Sequence, residues 1–93
     1  MTRLEHDLAT RRRRLRFRTT HTGTRETDIL LGGFVARHVE GLDEARVAEL
    51  EHLLEANDRD ILDWITGRAA VPGEFATPVM RALISYVRDR PSD

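Results

Sequence analysis

The chain has 93 residues, no cysteine and a formal net charge of −1, with 40% hydrophobic and 33% charged residues. This size permits one modest hydrophobic core, and the lack of cysteine excludes disulfides and thiolate metal sites. No apolar run approaches the roughly 18 residues that a transmembrane helix needs, and the N-terminal residues lack an apolar signal core, so we expect a cytoplasmic protein without a signal or transit peptide.

The charges are distributed unevenly along the chain. Residues 1–25 contain eight arginines and two acidic residues, whereas residues 26–93 contain seven arginines and fourteen acidic residues. This separation gives the folded domain a basic end and an acidic body, which would orient an approaching charged partner.

The first predicted helix covers about residues 2–20. Its apolar stripe is sparse because arginines occupy many of the other positions, so the helix depends on its neighbours for stability. The stripe contains Leu4, Leu8 and Leu15, with Phe17 as a further candidate.

A polar turn at residues 19–24 ends this helix, since threonine is a poor helix former and Gly23 can adopt a positive φ. The turn leads directly into an apolar helix. An exposed loop tip is thereby mounted on a buried element, an arrangement that is common in binding loops. We therefore expect any functional site at this junction, in residues 21–34.

The second predicted helix begins after Thr24 as N-cap and runs to about Val39. Glu26 and Asp28 lie in its first turn, where carboxylates interact favourably with the positive end of the helix dipole. The residues at the three- and four-residue spacing of a buried face are Leu30, Leu31, Phe34, Val35 and His38.

Two glycines, Gly32 and Gly33, lie inside this second helix. Each costs about 1 kcal/mol relative to alanine at such a position. We therefore expect both to permit the close approach of a neighbouring backbone. Gly41 is the natural stop after the helix.

Three further helices are predicted from caps and apolar spacing, and a loop at residues 68–76 precedes the last of them. Their start and stop signals are Asp43 for the third, Asn57 and Gly67 for the fourth, and Thr77-Pro78 and Pro91 for the fifth. Their core-facing residues are Val47, Leu50, Leu53, Leu54, Ile61, Leu62, Trp64, Ile65, Val79, Met80, Leu83, Ile84 and Val87.

No stretch alternates at the period of two residues that a strand requires. The predicted fold class is therefore all-α, a small single-domain bundle of about five helices with short connections. We expect one domain over residues 1–93, with fraying at 1–10 and 90–93.

A run of six arginines in eight residues begins at Arg11 and ends at Arg18. It would suit a phosphate backbone, with Phe17 stacking on a base. However, no recognition helix follows in helix-turn-helix fashion, and the acidic body would repel a duplex. We prefer an arginine face that docks on an acidic protein surface and keep nucleic-acid binding as the alternative.

Catalysis and metal binding are weakly supported. The pair His21 and Glu26 resembles an acid–base pair, but no nucleophile and no opposing carboxylate accompany it. An enzyme built on it would need a pocket between the first two helices. We expect a structural role for His38, inside its helix with a local hydrogen-bond partner. No two of the four histidines have the spacing of a helical metal site; they are His6, His21, His38 and His52.

Four segments occur in a fairly specific order, namely residues 13–18, 21–32, 50–54 and 58–67. In this order they resemble the succinate dehydrogenase assembly factor 2 family, whose bacterial members are SdhE-type FAD assembly factors. The resemblance covers about residues 13–67, and the last helix agrees in type and position.

The resemblance implies a five-helix assembly factor of the bacterial cytoplasm. Such a protein binds the flavoprotein subunit of succinate dehydrogenase, and of fumarate reductase in some bacteria, and promotes covalent attachment of FAD to a histidine of that subunit. It implies a chaperone and not an enzyme, with no stably bound cofactor of its own. We expect no nucleic-acid partner, no membrane insertion, and a monomer.

The family signature, Arg-Gly-x-x-Glu on the turn between the first two helices, is matched by Gly23 and Glu26, while Thr22 occupies the arginine position. Threonine cannot make the bidentate contacts of a guanidinium, and Arg18 or Arg25 is the nearest substitute. The partner-binding residues that the resemblance implies are His21, Thr22, Gly23, Arg25, Glu26 and Asp28, with Arg14 and Arg18 from the arginine run.

Overall fold

The structure, a computed structural model, describes residues 3–90, with side chains from Asp7 onward. Within that range it contains five α-helices, two short 3-10 turns and no strand, which confirms the all-α prediction. The helices are α1 (Arg3–Arg18), α2 (Arg25–His38), α3 (Glu44–Leu53), α4 (Asp58–Ile65) and α5 (Pro78–Arg88), and the 3-10 turns are Val39–Gly41 and Gly73–Phe75.

Side-chain caps start three of these helices where the sequence predicts them. Asp43, Asn57 and Thr77 each accept a hydrogen bond from a backbone N–H of the following turn, at 2.8–3.1 Å. Gly67 ends α4 with a positive φ of 81°, as a C-terminal glycine often does. Thr24 is the N-cap of α2 by position, but its side chain makes no capping hydrogen bond.

The core is assembled from all five helices. Helix α5 packs against α2, α3 and α4, while α1 packs against α2 and α3 and contributes Leu15 as its buried apolar side chain. Trp64 packs on this core half-buried, as do Leu54, Ile84 and Val87. The remaining buried apolar residues are Leu30, Leu31, Phe34, Val35, Val39, Val47, Leu50, Leu53, Ile61, Leu62, Ile65, Phe75, Val79, Met80 and Leu83.

Two residues that were assigned to apolar faces are exposed instead. Phe17 is 63% exposed. It lies two positions after the inward-facing Leu15 and is therefore rotated by about 200° from it around the helix axis. His38 is exposed because α2 tightens into a 3-10 turn, and Val39 takes the inward position. Its expected hydrogen-bond partner is absent from the described residues; its ring instead packs on Phe34, with centroids 4.9 Å apart.

Both glycines of α2 permit the close approach of a neighbour, which is a turn at Gly32 and an aromatic side chain at Gly33. A methyl group at Gly32 would lie 2.8 Å from the Thr20 side chain and 3.4 Å from the carbonyl oxygen of Thr19, so the backbone of the turn after α1 approaches closely, as expected. A methyl group at Gly33 would lie 2.5 Å from the hydroxyl of Tyr86. The prediction of a neighbouring backbone is therefore wrong at Gly33, which lies against a side chain of α5 instead.

Some predictions concern residues at the chain ends. Thr2, Pro91 and the side chains of Leu4 and His6 lie outside the described residues. A single domain over residues 1–93 with frayed ends stays a prediction, although α1 is helical from Arg3. Within residues 3–90, none of the helices combines the length and the apolarity that a bilayer crossing requires.

Candidate functional site

The turn between α1 and α2 is held by a carboxylate of α2. Asp28 accepts a hydrogen bond from the backbone N–H of Thr22 at 2.7 Å and a second, short one from the Thr22 hydroxyl. The same hydroxyl lies 3.4 Å from the N–H of Thr24. Asp28 thus restrains the chain just before the helix, where the side chain of Thr24 makes no cap.

These contacts also set the charge of Asp28. The hydrogen bond from the Thr22 hydroxyl, and then that from the Thr22 amide, hold the pKa of the Asp28 carboxyl below its usual value, and the nearby His21 acts in the same direction. Hydrogen bonds to the ionised form have this effect generally. Asp28 is therefore a charged, fixed acceptor at neutral pH.

A second carboxylate holds the next residue of the turn. The N–H of Gly23 donates to Oδ2 of Asp58, the first residue of α4, across 35 positions of sequence. A methyl group at Gly23 would lie 2.7 Å from that oxygen. Glycine is thus suited to this position because α4 approaches closely. Gly23 does not use the positive φ that glycine permits, since only Gly67 adopts one within the described residues.

One edge of the turn is aromatic. The rings of Phe17 and His21 stack with their centroids 3.9 Å apart and their planes 12° apart, and Nδ1 of His21 lies 2.6 Å from the carbonyl oxygen of Phe17. Both residues are exposed. A groove of about 250 Å³ follows this edge, lined by Phe17, Arg18, His21, Thr22, Gly23, Leu54 and Asp58.

The opposite edge is the first turn of α2. Glu26 is exposed and has no hydrogen bond or ion pair with any described residue, so its carboxylate is available to a partner. Ile29, three positions on, is 48% exposed and shares this face with Glu26 and Arg25, because residues three and four apart are neighbours on a helix. An apolar side chain next to unpaired charges of both signs is typical of a contact surface.

The proposed acid–base pair is not assembled. His21 lines the groove beside the turn, whereas Glu26 does not, and no hydrogen bond joins them among the described residues. Nor do three or more His, Asp or Glu side chains of the described part come together as a metal site.

The arginine run is largely engaged within the protein. Arg11 binds Glu51 through two nitrogens, at 2.7 and 3.1 Å, Arg12 donates to the carbonyl of Leu42, and Arg16 pairs with Glu40. Half of the six arginines thus connect α1 to α3 and to the segment that precedes it.

Two of the remaining arginines are available to a partner. Arg14 and Arg18 have no ion pair with described residues, and both line a groove of about 470 Å³ that also contains Glu51, His52 and Glu55. The basic face is therefore narrower than the sequence indicates. The expected partner-binding residues do not all lie together. The turn between α1 and α2 brings together His21, Thr22, Gly23 and Asp28. Beside this turn lie Arg18, Arg25 and Glu26, while Arg14 is one helical turn further away.

Comparison with known proteins gives one family. Residues 13–87 match the family model Sdh5, described as flavinator of succinate dehydrogenase. The chain is 44% identical over 86 residues to the FAD assembly factor SdhE of Acetobacter pasteurianus, an alignment that covers 92% of this chain and 79% of the relative.

Mitochondrial relatives are more distant and longer. Succinate dehydrogenase assembly factor 2-B of Drosophila melanogaster is 35% identical over 87 residues, and assembly factor 2 of Dictyostelium discoideum is 32% identical over 80 residues. These alignments cover 91% and 86% of this chain. The chain spans 56% and 57% of the length of these two mitochondrial proteins.

Proposed function

Because the chain belongs to the family of succinate dehydrogenase flavinators, we propose that it is an assembly factor that binds the flavoprotein subunit of succinate dehydrogenase or fumarate reductase and promotes the covalent attachment of FAD. The observation that carries the proposal is the unpaired carboxylate of Glu26 beside a turn fixed by Asp28 and Asp58. A rigid, charged and exposed loop of this kind supports recognition of a partner.

The protein acts through binding energy and not through catalytic groups of its own. The flavin chemistry belongs to the client and its cofactor, and the assembly factor stabilises the client conformation in which attachment proceeds. Gly23 lets the turn lie against Asp58 of α4, which holds its amide, and Glu26 supplies an anion from a backbone position that the helix fixes. The protein holds no cofactor stably and works as a monomer in the bacterial cytoplasm.

Thr22, at the position of the family arginine, makes its hydrogen bonds within the protein. Its amide and hydroxyl hold Asp28, as described above. The cationic contact with the client passes to Arg18 and Arg25, which flank the turn and have no ion pair among the described residues. Both guanidiniums retain the donor geometry that threonine lacks.

The test is the variant Glu26→Ala, produced together with the flavoprotein in a strain that lacks its own assembly factor. Covalent flavin is read by in-gel fluorescence. Loss of one charge-assisted hydrogen bond predicts a fall of about tenfold or more in flavinylation at limiting assembly factor.

The matched control is Asp60→Ala, which removes an exposed acid from the first turn of α4. It costs the same small helix-dipole interaction and leaves the turn untouched, so flavinylation should stay at the wild-type level. Normal covalent flavin with Glu26→Ala would refute the assigned role of Glu26.

A further inference from the structure

A third groove lies at the C-terminal end of α2. It encloses about 560 Å³ between the C-terminal ends of α2 and α5, and is lined by Phe34, Arg37, His38, Leu42, Ala82, Ser85, Tyr86, Asp89 and Arg90. Its lining residues on α2, from Phe34 to His38, follow Glu26 by two to three helical turns, so a rise of 1.5 Å per residue places the groove roughly 12–18 Å from Glu26 along the helix. It is therefore separate from the turn and can be occupied at the same time.

Three aromatic rings form the apolar part of this groove. The centroid of Phe34 lies 4.9 Å from that of His38 and 5.7 Å from that of Tyr86, and the planes of His38 and Tyr86 are at 88° to each other. These tilted and edge-to-face rings line a slot in the groove, which we call the ring slot. The ring slot suits one further aromatic or large apolar side chain.

The position of Tyr86 depends on an unfavourable helix residue. Its hydroxyl oxygen lies where the methyl group of an alanine at position 33 would come within 2.5 Å, so Gly33 is what lets the ring lie against α2. Glycine destabilises a helix interior relative to alanine. The hydroxyl has no hydrogen-bond partner among the described residues, so it remains available to a ligand.

The rim of the groove is basic. Arg37 and Arg90 have no ion pair with any described residue, whereas the acidic residue of the rim, Asp89, is engaged by Arg88 at 3.3 Å. Two unpaired guanidiniums beside an apolar slot are complementary to carboxylates that flank an aromatic side chain.

We propose that this groove binds a short acidic segment of a partner protein, with an aromatic or large apolar side chain in the ring slot and carboxylates on Arg37 and Arg90. The groove is open along the surface between two helix ends, which suits an extended peptide. The segment binds independently of the turn at Gly23, so this site adds a second contact to the assembly factor.

The test uses amide chemical shifts of the full chain labelled with ¹⁵N. The probe is the peptide acetyl-EEFDE-amide, added to about 1 mM, the range in which weak peptide complexes become populated. Amides in residues 34–42 and 82–90 should shift, while those in residues 21–29 should stay in place. The peptide acetyl-KKFKK-amide should produce no saturating shift.

The double variant Arg37→Ser, Arg90→Ser should weaken peptide binding by about tenfold or more, since two charge-assisted contacts are lost. Arg68→Ser is the control, because Arg68 is an exposed loop arginine outside the groove, and it should bind as wild type does. Both altered positions are exposed, and an unchanged circular dichroism spectrum verifies the fold.

Four results would overturn the proposal. They are an absence of shifts with the acidic peptide, equal shifts with the basic peptide, wild-type affinity in the double variant, and shifts confined to the groove of Arg14 and Arg18. Concentration-dependent shifts of the groove amides without peptide would also overturn it, since a second copy of the chain would then be the occupant. None of these readouts depends on flavinylation.

Discussion

Asp58 begins α4, yet its carboxylate shapes a turn that lies 35 residues earlier. Together with Asp28, which holds Thr22, it fixes two successive backbone amides of the turn. A turn restrained at two points loses less conformational entropy when it binds a partner than a free one does. The energetics of recognition at Gly23 and Glu26 thus depend on two acids that need not touch the partner.

The contact between Gly23 and Asp58 makes a specific prediction. In Gly23→Ala the new methyl group displaces the Asp58 carboxylate, which lies 2.7 Å from its position, so the amide of residue 23 loses its acceptor. Hydrogen exchange at that amide should become faster by several-fold, since one hydrogen bond to a charged group is lost.

The control is a double-mutant cycle with Asp58→Ala. If displacement of Asp58 is the cause, Gly23→Ala should add no further acceleration in the Asp58→Ala background. Additive effects of the two substitutions would show that the methyl group acts on the turn by another route.

Asp28 makes a prediction about pH. Its pKa is lowered in the folded protein by the Thr22 hydrogen bonds. The stability that these bonds supply is therefore complete above the usual aspartate value of 3.8 and is lost as the pH falls below it, through the lower folded pKa.

Thr22→Val removes the hydroxyl, which is the main cause of this shift, and keeps the shape of the side chain. The pKa of Asp28, followed by NMR of its carboxyl carbon, should rise toward 3.8, and the melting temperature should fall less steeply below that pH than in the wild type. An identical Asp28 titration in both proteins would contradict the role assigned to the hydroxyl.

The sequence identifies some of these residues and hides others. Gly23 and Glu26 follow from the family signature, and Asp28 from its place in the first turn of α2. The role of Asp58 in the turn could not be predicted, because a contact between residues 35 positions apart leaves no local periodic signal. The lack of any contact at Glu26 could not be predicted from the sequence either, since it depends on which side chains the fold places around it.

At the scale of elements, α1 is held by charge as much as by apolar packing. Among its described side chains, Leu15 is the buried apolar residue and Leu8 is partly buried. Arg11 compensates by binding Glu51 of α3 through two nitrogens, with a weaker contact to Glu44 at 3.5 Å. A bidentate, partly buried pair of this kind stabilises more than an ordinary surface ion pair.

Arg11→Ala should therefore destabilise the protein by about 1 kcal/mol in urea unfolding, with a smaller effect at high salt. Arg13→Ala is the matched control, because Arg13 bonds to Thr10 of its own helix and to no other element of the described chain, and its effect should lie within about 0.5 kcal/mol of zero. Equal losses in both variants would show that the arginines act through helix propensity or bulk charge instead of the α1–α3 contact.

Helix boundaries were predictable where a side chain forms the cap, as at Asp43, Asn57 and Thr77. Prediction failed where tertiary packing decides. Phe75 lies in the loop predicted at residues 68–76, yet it is buried and stacks on Trp64 with centroids 5.0 Å apart. An apolar residue in an irregular loop belongs to no periodic pattern that would indicate its burial.

At the scale of the whole molecule, the internal use of the arginines bears on the alternative function. Arg11, Arg12 and Arg16 are bound to groups of the protein itself, and the family comparisons support an assembly factor. A duplex would have to compete with Glu51 and Glu40 for these guanidiniums. Titration with duplex and single-stranded DNA at two salt concentrations should therefore show weak binding without the steep salt dependence of a phosphate-dominated interface.

Helix α2 separates two exposed surfaces of the molecule. The turn of Gly23 and Glu26 lies at the N-terminal end of this helix, and the ring-lined groove lies at its C-terminal end. A helix of 14 residues with a buried face holds these two surfaces at a constant separation.

The most direct test of the central claim is a hydrogen-exchange footprint of the chain bound to the purified flavoprotein subunit of succinate dehydrogenase, with the free chain as reference. Protection should be centred on residues 17–29, be reduced by Glu26→Ala and be unaffected by Asp60→Ala. Protection confined to other residues, or the absence of a complex at micromolar concentrations, would contradict the claim.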